Sequence, residues 1–146
     1  MKYFYLILFV LILNVPVNSE ENDFFKEAKK LFEDEKYEDS KFLFQRNIVY
    51  NPKDSQSYFF LAKIFKVEED KREEEKNIKK SLLLDPKNEE ALYFLIDFEL
   101  ERSNFSGAKE LKEDFSIICT KMCKKLENIE KRLNEFEKKD SWMFDA

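Results

Sequence analysis

Cys119 and Cys123 are the only two cysteines of the chain, and a thiol pair is the most reactive combination its residue types offer. Four positions apart, they would share one side of a helix. An oxidising compartment could join them, yet side chains on consecutive helical turns reach disulfide geometry only where the helix unwinds. The spacing is therefore read as two small apolar side chains in a helix interface. Metal chemistry finds no support, because histidine is absent from the whole sequence and two thiols do not complete a four-ligand zinc site. Histidine-based triads and general bases are excluded on the same ground. Carboxylates are abundant, 31 Asp and Glu against 26 Lys and Arg for a formal charge of −5. They fall in mixed-sign runs such as Glu33-Asp34-Glu35-Lys36, Glu68 through Lys76 and Glu135 through Asp140, which read as solvated surface. Neither a spaced calcium loop nor a glycine-rich phosphate cradle occurs. The expectation is a chain that is not an enzyme and holds no cofactor and no metal. With net negative charge and no gathering of basic residues, it is also expected not to bind nucleic acid.

The chemistry left is that of surfaces, and surfaces depend on the elements that shape them. A length of 146 residues holds one ordinary domain. One glycine, Gly107, and three prolines, Pro16, Pro52 and Pro86, are too little turn material for a many-stranded sandwich or barrel. Long helices joined tightly are the alternative. Punctuation then exposes a repeat: Tyr50-Asn51-Pro52-Lys53-Asp54 returns 34 residues later as Leu84-Asp85-Pro86-Lys87-Asn88. Interior positions agree, Phe24 with Tyr58, Phe25 with Phe59, Ala28 with Ala62, Leu31 with Phe65 and Ile48 with Leu82. A third copy aligns Phe105 with Tyr37 and Ala108 with Ser40.

Within a copy the apolar residues recur at threes and fours, break at a polar turn, and restart, which predicts two helices. Phe24, Ala28, Leu31 and Phe32 carry the first; Tyr37, Ser40, Phe44, Asn47 and Ile48 carry the second. Pro52 and Pro86 end the second helices of the first two copies, the third ending without a proline at Thr120, and Ser55 or Asp54 caps the helix after Pro52. Helices are predicted at about 22–34, 38–50, 55–68, 72–84, 89–102 and from 106 onward.

These features resemble the tetratricopeptide repeat family: the 34-residue period, the small Ala28 and Ala62, Tyr37 and Phe105 beside the inter-helix turn, Ala108, and the terminating Pro52 and Pro86. The resemblance covers roughly residues 21–120. Departures are Glu35, Glu69 and Ser103 where the family favours glycine, Lys71 and Glu74 in place of an aromatic and a small residue, and the large Ile96. The implied fold is all-α, an alpha-solenoid of three antiparallel helix pairs plus a C-terminal capping or extended helix. The repeats fall at about 21–54, 55–88 and 89–120 within a 20–120 domain, with 121–146 as C-terminal helix and tail. In the family the first helix of each copy lines a concave groove. This places Phe25, Lys29 and Phe32, then Phe59, Lys63 and Lys66, then Tyr93, Asp97 and Leu100 in it. Phe25, Phe59 and Tyr93 would form an aromatic ladder there, or else pack between repeats. Some relatives grip a C-terminal carboxylate with lysine, asparagine and arginine; the matching places hold Phe25, Phe60, Glu90 and Phe94, so that clamp is absent. The implied function is a scaffold for a partner protein or peptide segment, aromatic faces taking its apolar side chains and lysines meeting its acidic groups.

The two ends carry separate expectations. Lys2, the apolar run Tyr3 through Leu13, Pro16 and Val17-Asn18-Ser19 match an export signal cut after Ser19. The run is too short to cross a bilayer. The expected location is periplasmic or extracellular; the alternative is an uncleaved membrane anchor. At the other end Leu111, Phe115, Ile118, Met122, Leu126, Ile129, Leu133 and Phe136 form a helical stripe without a break. Either one helix runs from Ser106 to about Lys139, able to pair with a second chain as a coiled coil, or a separate capping helix follows the third repeat. The first option makes a structural subunit of an envelope assembly the alternative function. Trp142 and Phe144 either fold back on the cap or form a docking peptide.

Overall fold

A computed structural model describes residues 24–144. Seven helices and no strand occur among them: α1 Phe24–Glu33, α2 Tyr37–Tyr50, α3 Ser55–Val67, α4 Lys71–Leu84, α5 Glu89–Glu101, α6 Phe105–Ile118 and α7 Lys125–Phe144. The expected export signal at 1–19 lies outside the described residues, as do the side chains of Trp142 and Phe144. Helix boundaries fall where local chemistry sets them. Asp54, Asp70, Asn88 and Asn104 each accept an amide hydrogen of the following first turn, from Gln56, Glu73, Ala91 and Gly107 at 3.2, 3.1, 3.0 and 3.3 Å. One such cap stabilises a helix by about 1 kcal/mol.

The three turns inside the pairs are built alike. Glu35, Glu69 and Ser103, the residues standing where glycine was expected, adopt φ of 59°, 60° and 60°. At each of them the amide bonds back three residues and the next amide bonds back five, as in Lys36 N–H to Leu31 C=O at 2.9 Å. This closes the helix end with a left-handed residue and brings α1 against α2, α3 against α4 and α5 against α6. Ala28 and Ala62 are fully buried, and Ser40 Oγ donates to the Ala28 carbonyl at 2.9 Å. The matching place in the second pair holds Glu74, fully buried, with Oε2 3.0 Å from Lys71 Nζ and Oε1 without a partner. In the third pair the bulk of Ile96 is accommodated beside Ala108, both fully buried in one cluster.

Adjacent repeats meet in a constant register. Phe25 packs on Phe60 and Phe59 on Phe94, with ring centroids 5.9 Å apart in both pairs. Lys66 bonds Glu101, Tyr93 reaches Asn128 and Arg132 pairs with Asp97, each pair 35 positions apart. The last two belong to α7, which therefore sits where the first helix of a fourth repeat would.

One expectation is corrected, and of the two C-terminal alternatives the separate capping helix, the favoured one, is the one found. Cys119 and Cys123 are disulfide-bonded, with Cα atoms 5.2 Å apart. The reason is the unwinding that such a pair requires: α6 stops at Ile118 and α7 starts only at Lys125. The stripe after Ser106 is thus divided between two helices. Its C-terminal part does not face outward either, since Ile129 and Leu133 are buried with Leu92, Ile96, Leu100 and Phe115, and Leu126 packs on them. Phe136 lies 4.4 Å from Phe105. With these side chains turned onto its own chain, α7 offers no such stripe to a coiled coil.

Candidate functional site

The first helices α1, α3 and α5 stand side by side, and their shared face is where the groove residues were expected. Phe25, Phe32, Lys63, Lys66, Tyr93 and Asp97 are half-buried there and Lys29 is exposed. Two residues are elsewhere. Phe59 is 2% exposed, packed among Ala62, Ile78, Ala91, Leu95 and Phe98. Leu100 is 2% exposed in the cluster that α7 completes. Position in the repeat places both in the groove, and the neighbouring repeat removes both from it, because its helix covers them. The expected ladder of Phe25, Phe59 and Tyr93 is accordingly replaced by staggered pairs, Phe25 with Phe60 and Phe59 with Phe94.

Phe60 is the hub of the first of these. Its ring meets Phe25, Phe32 and Phe44 at 5.9, 5.2 and 5.1 Å. Alignment with the repeat singles out Phe60 and Phe94 only as places of a missing clamp. Their 34-residue spacing, equal to that of Phe25 and Phe59, is the signal for a second aromatic row.

Cations lie over this row. Lys63 Nζ stands 4.2 Å from the Phe59 centroid and 5.1 Å from that of Phe60, and Lys66 Nζ is 5.1 Å from that of Phe94. Their electrostatic settings differ. Lys66 is neutralised by Glu101 at 2.6 Å. Burial opposes ionisation of Glu101, but the hydrogen bonds from Lys66 and Lys71 outweigh it and hold its carboxyl below the ordinary range. Lys63 has only Glu90 at 4.0 Å, and desolvation, reinforced by Lys29, pushes its ammonium down despite that carboxylate. Asp97 is occupied by Arg132 from α7. Burial and, next, Asp97 push the Tyr93 phenol up. The face is thus an aromatic floor whose third-repeat end is filled by α7 and whose first two repeats carry the exposed Lys29 and the half-buried, incompletely neutralised Lys63.

A separate carboxylate orders the α6–α7 junction. Glu89 accepts from Thr120 Oγ1 at 2.6 Å and from the amides of Lys121 and Met122 at 3.1 and 2.8 Å. The Thr120 hydroxyl, with the backbone amides adding to it against desolvation, holds its carboxyl down at about 2. Among the described residues, no group of three or more Cys, Asp and Glu could hold a metal ion, and no helix is long and apolar enough to cross a membrane.

Helix pairs recurring in one orientation, with small residues at their crossing, define an all-α tetratricopeptide-like solenoid. No family model matches the chain, and no curated protein sequence does. Among solved structures, the Yersinia enterocolitica type III secretion translocator chaperone SycD matches with a TM-score of 0.71 at 14% identity, over 90% of this chain and 93% of that one. That likeness is one of fold.

Proposed function

We propose that the chain is a protein-interaction scaffold holding a partner segment against the face of α1, α3 and α5. The segment would carry an apolar or aromatic side chain and an acidic group. The single observation behind this is Lys63, half-buried over Phe59 and Phe60 with its ammonium destabilised by desolvation and its nearest carboxylate at 4.0 Å. A carboxylate brought by a partner would restore what burial removes, and the rings of Phe25 and Phe60 would receive the adjoining apolar group. The similar structure is itself described as a chaperone, which agrees with a binding role.

We further propose that the chain is exported. Lys2, the apolar run to Leu13 and the Val17-Asn18-Ser19 cut site favour it. The Cys119–Cys123 bridge suits a compartment in which disulfides persist. N-terminal sequencing of the protein from its own cells tests this, and a chain still starting at Met1 would exclude cleavage.

The binding test is recovery of cross-linked partners from native cells with wild type and with Phe25→Ala plus Lys63→Ala. Phe59 is left intact because it is core. Recovery should fall by about tenfold or more, the loss expected from removing a binding anchor. Equal recovery with intact helicity rejects the groove.

A further inference from the structure

Val49, Leu83 and Ile117 are separated by the same 34-residue period as the fold, and each is the next-to-last residue of a second helix, α2, α4 or α6. They are 77%, 72% and 80% exposed. Of the other large apolar residues on the surface, Tyr50 has apolar counterparts, Leu84 and Ile118, that are half-buried, and two do not recur as apolar at all. Phe42 recurs as Lys76 and Glu110, and Val67 has Glu33 and Glu101 as counterparts. Scattered single exposures need no explanation. A row kept apolar in every repeat, at a place facing solvent, does.

A second row runs beside it. Lys53, Lys87 and Lys121 follow those helix ends by the same interval, and all three are exposed. Several basic side chains here are neutralised, among them Lys41, Lys66, Lys71, Lys76, Lys79 and Arg132. These three side chains have no ion pair among the described residues. Three carboxylates of the same edge are bonded within the chain, while Glu113 and Asp114, one helical turn before Ile117, and Glu90, three residues after Lys87, are exposed. Asp54 accepts from Asn47 and Ser57, Asp85 from the Lys87 amide, and Glu89 from Thr120, Lys121 and Met122. The edge therefore offers three projecting aliphatic side chains and three uncompensated ammonium groups in parallel.

We propose that this edge seats on an anionic membrane surface. A lipid interface needs no matching shape. It takes isolated aliphatic groups into the acyl boundary while lysines remain at the phosphates. Three repeats give three such feet. Tyr50, 70% exposed beside Val49, adds an aromatic ring at the level where such rings collect.

The test is cosedimentation with phosphatidylcholine vesicles, with and without about a quarter phosphatidylglycerol, each lysine at an anionic surface being worth roughly a fivefold change in partitioning. The full chain is compared with one beginning at Glu20, because the run Tyr3 through Leu13 is apolar in its own right. Both should bind the anionic vesicles and lose binding as salt rises. Lys53→Glu with Lys87→Glu and Lys121→Glu should weaken partitioning by about a hundredfold. Val49→Ser with Leu83→Ser and Ile117→Ser should reduce it to background, with helicity and melting temperature unchanged at these exposed sites. A Glu20 chain that does not bind, vesicles without phosphatidylglycerol binding equally well, or variants that bind like wild type overturn the proposal. So does capture of a protein on this row by a Glu20 chain that leaves the vesicles in solution.

Discussion

Replacing Glu35, Glu69 and Ser103 together by glycine should make the protein more stable. Each has φ near 60°, a conformation in which a Cβ crowds the following carbonyl at a cost of about 1–2 kcal/mol. Glycine removes that crowding but gains freedom in the unfolded chain worth about 0.4–1 kcal/mol. The net gain is roughly 0.5–1 kcal/mol per site. The side chains are exposed and make no hydrogen bond or ion pair among the described residues, so nothing else is lost. The turns belong to different repeats, so the effects should add to about 2 kcal/mol. For a domain of this size that raises the melting temperature by about 8 °C. Thermal unfolding followed by circular dichroism measures it, with the three alanine replacements as the control. Alanine keeps the Cβ and should gain almost nothing. A glycine variant no more stable than wild type, or an alanine variant as stable as the glycine one, would refute the reasoning and point to relief of charge instead.

Acid should loosen the α6–α7 junction. The Glu89 carboxyl is held at about 2 against an ordinary 4.5, so its stabilisation is complete above that ordinary value and disappears as pH falls through about 2. Amide exchange at Lys121 and Met122 reads this, and Glu89→Gln should abolish the pH dependence. Gly107→Ala should destabilise although alanine favours helix. Its Cβ would stand 2.5 Å from Asn104 Nδ2, which is bonded to the buried Glu99 at 2.7 Å. The lost cap, about 1 kcal/mol, together with the disturbed bond to the buried Glu99, about 1 kcal/mol or more, outweighs the propensity gain of about 1 kcal/mol, for a net loss of about 1 kcal/mol in urea unfolding. Reducing the Cys119–Cys123 bridge should cost about 2 kcal/mol, the value for so short a loop, and should free α7 first. Proteolysis at the junction with and without reductant tests the order, and cleavage unchanged by reductant contradicts it.

Helix boundaries were legible because they obey local rules. Pro52 and Pro86 stop helices wherever they stand, and Asp54 and Asn88 cap the next helix within three residues. The face residues were legible only in part. Repeat position assigns Phe25 and Phe59 the same role, yet one is half-buried and the other closed off. The difference lies in which repeat stands beyond each. Phe59 receives Phe94 and the buried side chains of α4 and α5, whereas Phe25 belongs to the first described pair. The disulfide was hidden for a different reason. Spacing alone favours a continuous helix at Cys119 and Cys123, and the break is sustained by Glu89, some 31 positions earlier and a full repeat away. A window along the sequence does not contain that partner.

The register explains why the stack stops where it does. Tyr93 meets Asn128 and Asp97 meets Arg132 with the separation that links Lys66 to Glu101, so α7 answers α5 as α5 answers α3. A true fourth repeat would then bring a second helix against the far side of α7. That side instead shows Glu127, Lys131 and Glu135, all exposed. At the opposite end Lys26, Glu27, Lys29, Lys30 and Glu33 of α1 are exposed likewise. Burying either set against another repeat would strip charges of water without apolar area in return. Growth by end-to-end stacking is thereby disfavoured at both described ends.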